Sequence, residues 1–265
     1  MRILNLFIGI FLFALLTILT QIGGIVYLFS LAVNKTWKAN FKFKPLVSFI
    51  GLYVIATFLI VPFLAPIFGR EKVKHTEIIR PTNYMTVVLN RNYVRPELND
   101  LLAKTEKHLE GTGIPINYLD ANFPFVNKFP LLPHLSHNNG KKIDLSLVYE
   151  NQNGQISKKQ KSRSGYGVFA SPKQNEFDQI EKCINDGYFQ YDYPKYLSFG
   201  TINPYLIFSE KGTRELIESI LKNPDLGKLF IEHHLKQRLN LEDNKVRYHG
   251  CRSVRHDDHI HIQLK

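Results

Sequence analysis

Histidine and aspartate side chains are concentrated in two short segments of this 265-residue chain. The segment HLSHNNGKKID covers residues 134–144, and the segment HDDHIHI covers residues 256–262. On a β-strand, residues two positions apart point to the same side, so His259 and His261 would place two imidazole rings about 7 Å apart on one face. Imidazoles and carboxylates bind zinc and transfer protons. The two segments are therefore candidates for a metal centre.

The loop after His137 suggests how the two segments could meet. Residues 138–140 are Asn-Asn-Gly, which can fold His137 back over the start of a strand that begins near Asp144. A histidine, an aspartate and a histidine would then surround one point and leave a fourth position for water. Catalytic zinc has three protein ligands and a water, whereas structural zinc is closed by four ligands. His256 would not share a strand face with His259, so we expect it on the preceding turn.

Both segments resemble motifs of one family of zinc peptidases. SHNNGKKID resembles the His-x6-Asp motif of the lysostaphin, D-Ala-D-Ala peptidase and hedgehog group, and HDDHIHI is similar to its His-x-His motif. Within that group, His134 and His256 also match the extra histidines of penicillin-insensitive murein endopeptidases. The match covers residues 130–265 loosely and is close only in the two motifs.

The resemblance assigns a role to each histidine. It implies zinc as the cofactor, with three ligands: His137, Asp144 and His261. It implies that His259 is catalytic, holding or deprotonating the water on zinc, and that His134 and His256 line the site in supporting roles. The implied function is hydrolysis of the peptide cross-links of peptidoglycan, and the implied fold is that of the hedgehog and D-Ala-D-Ala peptidases.

Asp258 stands where the D-Ala-D-Ala peptidases of the group carry a glutamate base. Its shorter side chain favours His259 as the base, so Asp258 is assigned a supporting role and we expect Asp258→Asn to be mild. Three other functions stay open. They are a D-Ala-D-Ala carboxypeptidase or dipeptidase, a non-catalytic module that binds zinc or cell wall, and a membrane scaffold whose histidines are incidental.

Two charge-free runs near the N-terminus predict a two-helix transmembrane hairpin within residues 1–74. The spans are predicted at about residues 4–33 and 45–68, each longer than the ~20 residues that a membrane helix needs. The first run exceeds the ~7–15 apolar residues of a cleaved signal peptide. Two spans would place both chain ends on one side. The connecting loop 35–44 carries four lysines and no acid, which favours a cytoplasmic loop and an extracytoplasmic catalytic domain.

The net charge of +11 does not indicate a nucleic-acid partner. Residues 1–74 hold eight basic residues and one acidic residue, so the other 191 residues carry only four of the eleven charges. Basic residues that flank membrane spans account for most of the excess. The predicted partners are therefore the membrane and a peptidoglycan peptide, and not nucleic acid.

The rest of the chain predicts an α+β fold with a largely antiparallel sheet and flanking helices, because strand and helix patterns do not alternate regularly. Residues 75–100 are predicted to form a connector and a first strand, at 83–90, and residues 101–265 the zinc peptidase domain. We expect structural roles for His233 and His234. Cys183 and Cys251 could form a disulfide outside the cytoplasm if their Cα atoms lie within about 7 Å.

Overall fold

The computed structural model describes residues 2–265. Nine α-helices lie within these residues: α1 (Arg2–Thr20), α2 (Gly23–Thr36), α3 (Lys44–Ile55), α4 (Val61–Leu64), α5 (Met85–Val88), α6 (Pro96–His108), α7 (Gln179–Asn185), α8 (Glu210–Leu221) and α9 (His233–Arg238). Eleven strands accompany them: β1 (Glu71–Lys72), β2 (Ile79–Pro81), β3 (Tyr93–Val94), β4 (Ile116–Tyr118), β5 (Lys142–Ser146), β6 (Tyr149–Glu150), β7 (Ile156–Ser157), β8 (Ile207–Phe208), β9 (Leu226–Phe230), β10 (Val246–Arg247) and β11 (His259–Leu264). The expected mixture of helices and strands is thus confirmed.

The chain forms two compact units. The first contains the residues up to Val73, together with Met85–Pro96 and Ala121–Gly140. The second contains Lys74–Tyr84, Glu97–Asp120 and Lys141–Lys265.

In the first unit, the long charge-free run forms two helices, where the sequence predicted one span over about residues 4–33. α1 ends at Thr20, Gln21 takes a left-handed conformation with φ 67°, and α2 begins at Gly23. The glycines at the start of α2 let the two helices approach closely, because a Cβ on Gly24 would lie 2.7 Å from the Phe13 carbonyl oxygen. α1 and α2 therefore form a tight helical hairpin.

Two helical segments are long and apolar enough to cross a membrane, and they suggest membrane association. They are Ile3–Thr20 and Lys44–Phe68. The second begins with α3, continues through a π-helical turn at Ala56–Ile60 and α4, and ends in a 3₁₀ turn at Ala65–Phe68.

The directions of these segments follow from side-chain contacts at both ends of α2. Near its C-terminal end, Asn34 Nδ2 donates a 2.8 Å hydrogen bond to Ser48 Oγ at the start of the second segment. Near its N-terminal end, Ile22 packs in one cluster with Val61 and Ala65. α2 is therefore antiparallel to the second segment. α1, folded back on α2, runs in the same direction as the second segment.

The second unit is built on a six-stranded sheet with the order β10-β9-β11-β5-β4-β2. The three central pairings are antiparallel, as the sequence predicted for most of the sheet, and both edge pairings are parallel. Parallel neighbours need a crossover connection, which α6 provides between β2 and β4 and α9 provides between β9 and β10.

Alternation along β5 and β11 separates an apolar face from a polar face. Ile143, Leu145, Ile260 and Ile262 all have 0% exposure. Asp144, His259 and His261 occupy the intervening positions and therefore point to the other side of the sheet. The apolar face secures the two strands, so the polar residues are held by backbone pairing that does not depend on their own side chains.

Two further features complete the second unit. A small sheet has the order β7-β6-β8, with both pairings antiparallel. Cys183 and Cys251 form a disulfide with their Cα atoms 5.1 Å apart.

One strand prediction was wrong. Segment 83–90 forms the short helix α5 instead of a strand. Its Val and Thr residues have β propensity, but such propensity depends on packing and is overridden by tertiary context.

Candidate metal centre

The polar face of the six-stranded sheet brings Asp144 and His261 together. They are direct cross-strand partners in the antiparallel β5 and β11 pair. His261 Nδ1 lies 2.8 Å from Asp144 Oδ1, within hydrogen-bonding distance. Two ligand atoms on one tetrahedral zinc, each about 2.0–2.1 Å from it, would be about 3.3 Å apart. A shift of roughly 0.5 Å would therefore let this pair bind one ion.

His259 lies beside the same carboxylate with a fixed ring orientation. Its Nδ1 donates a 2.5 Å hydrogen bond to Asp258 Oδ1, and its Nε2 lies 3.9 Å from Asp144 Oδ2. The second oxygen of Asp258 accepts a 2.6 Å hydrogen bond from the Gly167 backbone N–H. With Nδ1 engaged, the basic nitrogen of a neutral His259 is Nε2, on the side of Asp144.

Tyr166 adds a contact that the sequence did not predict. Its hydroxyl donates a 2.8 Å hydrogen bond to Asp144 Oδ2 and accepts a 3.2 Å hydrogen bond from the Asp120 backbone N–H. Its ring packs edge-to-face on His259, with centroids 5.1 Å apart. The two oxygens of Asp144 therefore have different partners, His261 for Oδ1 and Tyr166 for Oδ2.

The buried carboxylates dominate the electrostatics of this cluster. Burial alone would lower the pKa of His259, but the charges of Asp258 and Asp144 outweigh it and raise that pKa to about 9. Burial and the neighbouring Asp144 charge raise the pKa of the Tyr166 hydroxyl well above its usual range. Tyr166 therefore stays a neutral hydrogen-bond donor.

His256 lies in the loop directly before β11, off the strand as expected, and is held through both its backbone and its ring. Its N–H donates a 2.8 Å hydrogen bond to Glu232 Oε2, and its ring Nδ1 donates to the Val254 carbonyl at 2.7 Å. The other oxygen of Glu232 accepts a hydrogen bond from the buried Tyr191 hydroxyl. Burial, and then the charge of His259, lower the pKa of His256 well below its usual value. His256 is therefore a neutral ring 4.9 Å from the ring of His259.

Three residues form a group that could hold a metal ion: His134, His137 and Asp144. Each offers one ligand atom, and these atoms all lie within 4.8 Å of one another. His137 Nδ1 donates a 2.7 Å hydrogen bond to the Ala121 carbonyl, which leaves Nε2 as the ligand nitrogen. The resemblance gave His134 a supporting role, whereas its position also makes it a candidate ligand. His261 contacts Asp144 Oδ1, but its role as the third ligand stays a prediction.

Two polar residues of this region, Tyr166 and Glu232, were not predicted from the sequence. Tyr166 lies in a segment that had only basic and loop-like character. The one available signal was its flanking glycines, because Gly165 and Gly167 take left-handed conformations with φ of 95° and 78°. Glu232 had no sequence signal, since its role depends on contacts with distant residues.

The other histidine pair has structural contacts. His234 is fully buried and its Nε2 donates a 2.8 Å hydrogen bond to the Ala170 carbonyl. His233 packs edge-on against the rings of Phe177 and Tyr248. These contacts agree with the structural roles expected for both residues.

No protein-family model matches this chain, and a comparison with curated proteins finds no match.

Proposed function

We propose that this chain is a membrane-anchored zinc metallopeptidase that hydrolyses peptide cross-links of peptidoglycan. One observation carries the proposal: a buried Asp144 faces His261 across two paired strands, with His259 next to both on the same face. A buried carboxylate in a sheet is costly unless it is paired or binds metal. Here its neighbours are the residue types that a zinc hydrolase uses as ligand and as base.

The donor set supports zinc as the ion. Every candidate ligand is an imidazole or a carboxylate, the usual ligands of catalytic zinc. Both cysteines are tied in the disulfide, so no thiolate is left for a closed structural site. The hydrogen bond from His137 Nδ1 to a backbone carbonyl is the outer contact that orients metal-binding histidines.

His259, Asp258 and Tyr166 have separate roles in the proposed reaction. When bound, zinc would polarise the scissile carbonyl and make a water acidic near neutral pH. The charges of Asp258 and Asp144 alone keep His259 protonated near pH 7. A cation held by Asp144 would oppose those charges, so that His259 would be neutral and could take a proton at Nε2, while Asp258 holds the ring through Nδ1 and stabilises the charged imidazole. Tyr166 restrains one oxygen of Asp144. The site thus has a base with its own orienting carboxylate.

The position of Asp258 supports the endopeptidase assignment over a carboxypeptidase in which Asp258 is the base. Both of its oxygens already accept hydrogen bonds, from His259 and from Gly167. Its exposure is only 1%. A base must reach the water from which it takes a proton, and these contacts hold the Asp258 carboxylate in a supporting position.

Two observations support an extracytoplasmic substrate. Disulfides persist in oxidising compartments, and Cys183 pairs with Cys251 here. The segment Lys44–Phe68 is long and apolar enough to carry the chain through a membrane. Together with the resemblance of the two motifs, they favour a peptidoglycan substrate.

The test uses the full chain in detergent micelles. The protein is stripped with a chelator, reloaded with zinc and incubated with purified sacculi, and released muropeptides are identified by mass. We expect about one zinc per chain and products cut within the cross-linking peptides. Zinc binding without any hydrolysis would indicate a non-catalytic module instead.

Variants separate metal binding from chemistry. His137→Ala and Asp144→Ala should lose most of the zinc, because each removes a ligand. His259→Ala should keep the zinc and lose hydrolysis by about 10²–10⁴-fold, the usual contribution of a general base. His108→Ala, an exposed histidine at the end of α6, is the matched control and should behave like the parent. Full zinc content in both ligand variants would refute the metal centre.

A further inference from the structure

A surface rich in aromatic and basic residues lies on the second unit. We call it the aromatic–basic surface. It consists of eight side chains: Lys158, Lys159, Arg163, Tyr193, Lys195, Tyr196, Phe199 and Tyr205. All are exposed, with Tyr196 and Phe199 at 74% and 73%. Large aromatic side chains this exposed and this clustered commonly mark a binding surface.

Backbone hydrogen bonds join the two segments that carry this surface. Ser162 and Thr201 form an antiparallel bridge, and Arg163 N donates a 3.0 Å hydrogen bond to the Gly200 carbonyl. Ile202 N donates to the Lys161 carbonyl at 3.1 Å. The basic segment and the aromatic segment therefore run side by side beyond the small β7-β6-β8 sheet.

Aromatic and basic side chains are interleaved on this surface. Lys159 Nζ lies 3.5 Å from the Tyr205 hydroxyl, and Lys195 Nζ lies 5.0 Å from the centre of the Tyr196 ring. A ligand placed here would meet flat aromatic faces and ammonium groups at the same time.

Both segments are anchored in the candidate metal centre. Three residues after Arg163, Tyr166 donates to Asp144, and the next residue, Gly167, donates to Asp258. In the aromatic segment, the Asp192 carboxylate accepts a 2.6 Å hydrogen bond from Arg255, which directly precedes His256. The surface is thus continuous with the candidate metal centre through short stretches of chain.

The charge of the surface indicates what it binds. Residues 151–165 contain four basic residues and no acidic residue. Asp192 is the one acidic residue of segment 189–207, and it is buried and paired with both Arg255 and Lys195, so the positive charge of the surface comes from the basic segment. The exposed charge is therefore positive, and it complements carboxylates. Exposed aromatic faces pack well against the C–H faces of sugar rings.

We infer that the aromatic–basic surface docks a peptidoglycan strand, whose sugar rings lie on the aromatic side chains and whose peptide carboxylates pair with the basic ones. The inference rests on the proposed function, since it names how the same site would hold a polymeric substrate. It assigns a substrate-binding role to residues 158–163 and 193–205, which carry none of the candidate metal ligands.

The test measures binding without hydrolysis. The full chain is placed in nanodiscs of zwitterionic lipid, stripped of metal with a chelator, and sedimented with purified sacculi. Two double variants probe the surface: Tyr196→Ser with Phe199→Ser, and Lys158→Gln with Lys159→Gln. Tyr248→Ser removes a 48% exposed tyrosine outside the surface and is the matched control. All these side chains are exposed, so the fold should be retained, which circular dichroism checks.

We expect saturable binding of the parent and the Tyr248→Ser variant, and about tenfold weaker binding of each double variant, because each removes two of the proposed contacts; tenfold corresponds to about 1.4 kcal/mol. Binding of the parent should also weaken as salt is raised, because the lysine contacts are screened. Unchanged binding of both double variants would overturn the inference. Binding to anionic phosphatidylglycerol vesicles instead of sacculi, lost in the same variants, would overturn it in favour of a membrane surface.

The proposed function is tested separately by hydrolysis of short soluble cross-linked muropeptides with the unsubstituted, zinc-loaded chain. If sacculi bind through the surface but these peptides are not cut, the docking inference stands and the peptidase proposal fails. If the peptides are cut while sacculi do not bind, the peptidase proposal stands and the docking inference fails.

Discussion

Replacing Asp258 by asparagine tests the proposed base most directly. The carboxylate has two acceptor oxygens, one for the His259 Nδ1–H at 2.5 Å and one for the Gly167 N–H at 2.6 Å. An asparagine has one acceptor oxygen and one NH₂ group, which is a donor. In either orientation the NH₂ group would face a donor. Because Asp258 is 1% exposed, water offers no simple replacement.

The size of the effect follows from these two contacts. If the NH₂ group faces Gly167, a buried donor loses its partner at a cost of about 1–3 kcal/mol. If it faces His259, the Nδ1 atom of the ring must be unprotonated to accept its hydrogen bond. The ring proton then lies on Nε2, which can no longer act as the base. The same substitution in a Ser-His-Asp triad lowers kcat about 10⁴-fold through the wrong tautomer. We therefore expect a ~10²–10⁴-fold loss for Asp258→Asn, larger than the mild effect expected from sequence.

The assay is hydrolysis of soluble cross-linked muropeptides by the zinc-loaded full chain, with zinc content measured on the same sample. Asp258→Asn should keep its zinc, because Asp258 is not among the candidate ligands. In the double variant with His259→Ala, Asp258→Asn should add little further loss, since Asp258 acts through His259. The same substitution at an exposed position outside the candidate site, Asp243→Asn, is the control and should behave like the parent. Activity of Asp258→Asn within threefold of the parent, or independent losses in the double variant, would refute the reasoning.

Three further predictions concern stability and topology. The disulfide joins residues 68 apart, and by lowering the entropy of the unfolded chain it stabilises the fold by ~4 kcal/mol. Reductant should therefore lower the melting temperature of the parent but not that of a Cys183→Ser, Cys251→Ser double variant. Arg238 lowers the pKa of Glu176 to about 2, below its unfolded value. Its stabilisation is therefore present above pH ~4.5 and lost as pH falls towards 2, so Glu176→Gln should lower the urea midpoint at pH 7 but not at pH 2, unlike the exposed Glu242→Gln. A reporter after Lys265 should be active only outside the cytoplasm, as the lysine-rich loop 35–44 predicts; activity only inside would contradict the extracytoplasmic domain.

The fold could be predicted from sequence where one local signal was strong. The apolar residues of Pro96–His108 have the spacing of a helix, which indicates α6, and the alternation in HIHIQL indicates β11, because both patterns follow directly from the geometry of a helix and a strand. The break at Gln21 could not be predicted, since an unbroken apolar run has no local signal for a turn. The Gly-Gly pair at 23 and 24 gains its meaning only from the close approach of α1.

The residues of the candidate site could be predicted from the sequence, but the contacts between them could not. Residue types and spacing pointed to Asp144, His259 and His261, but their mutual contact depends on the β5 and β11 register between residues 117 apart. Nothing local to either segment encodes that register. The hydrogen bond from Gly167 to Asp258 is likewise long-range, and it is the reason that we expect a larger effect of Asp258→Asn than the supporting role assigned from sequence suggests.

The polar face of the sheet makes more sense as a functional surface than as a source of stability. Ile143, Leu145, Ile260 and Ile262 already bury one face of β5 and β11 completely, and burial of such side chains contributes about 1.5–3 kcal/mol each. The Asp144 carboxylate on the opposite face adds a desolvation cost, which its hydrogen bonds with His261 and Tyr166 at best offset. Apolar residues of similar size would commonly stabilise such a position as well or better. A buried group with this cost is expected where a site needs a fixed carboxylate, and the histidines and the tyrosine that surround it are residue types able to bind a metal ion or transfer a proton.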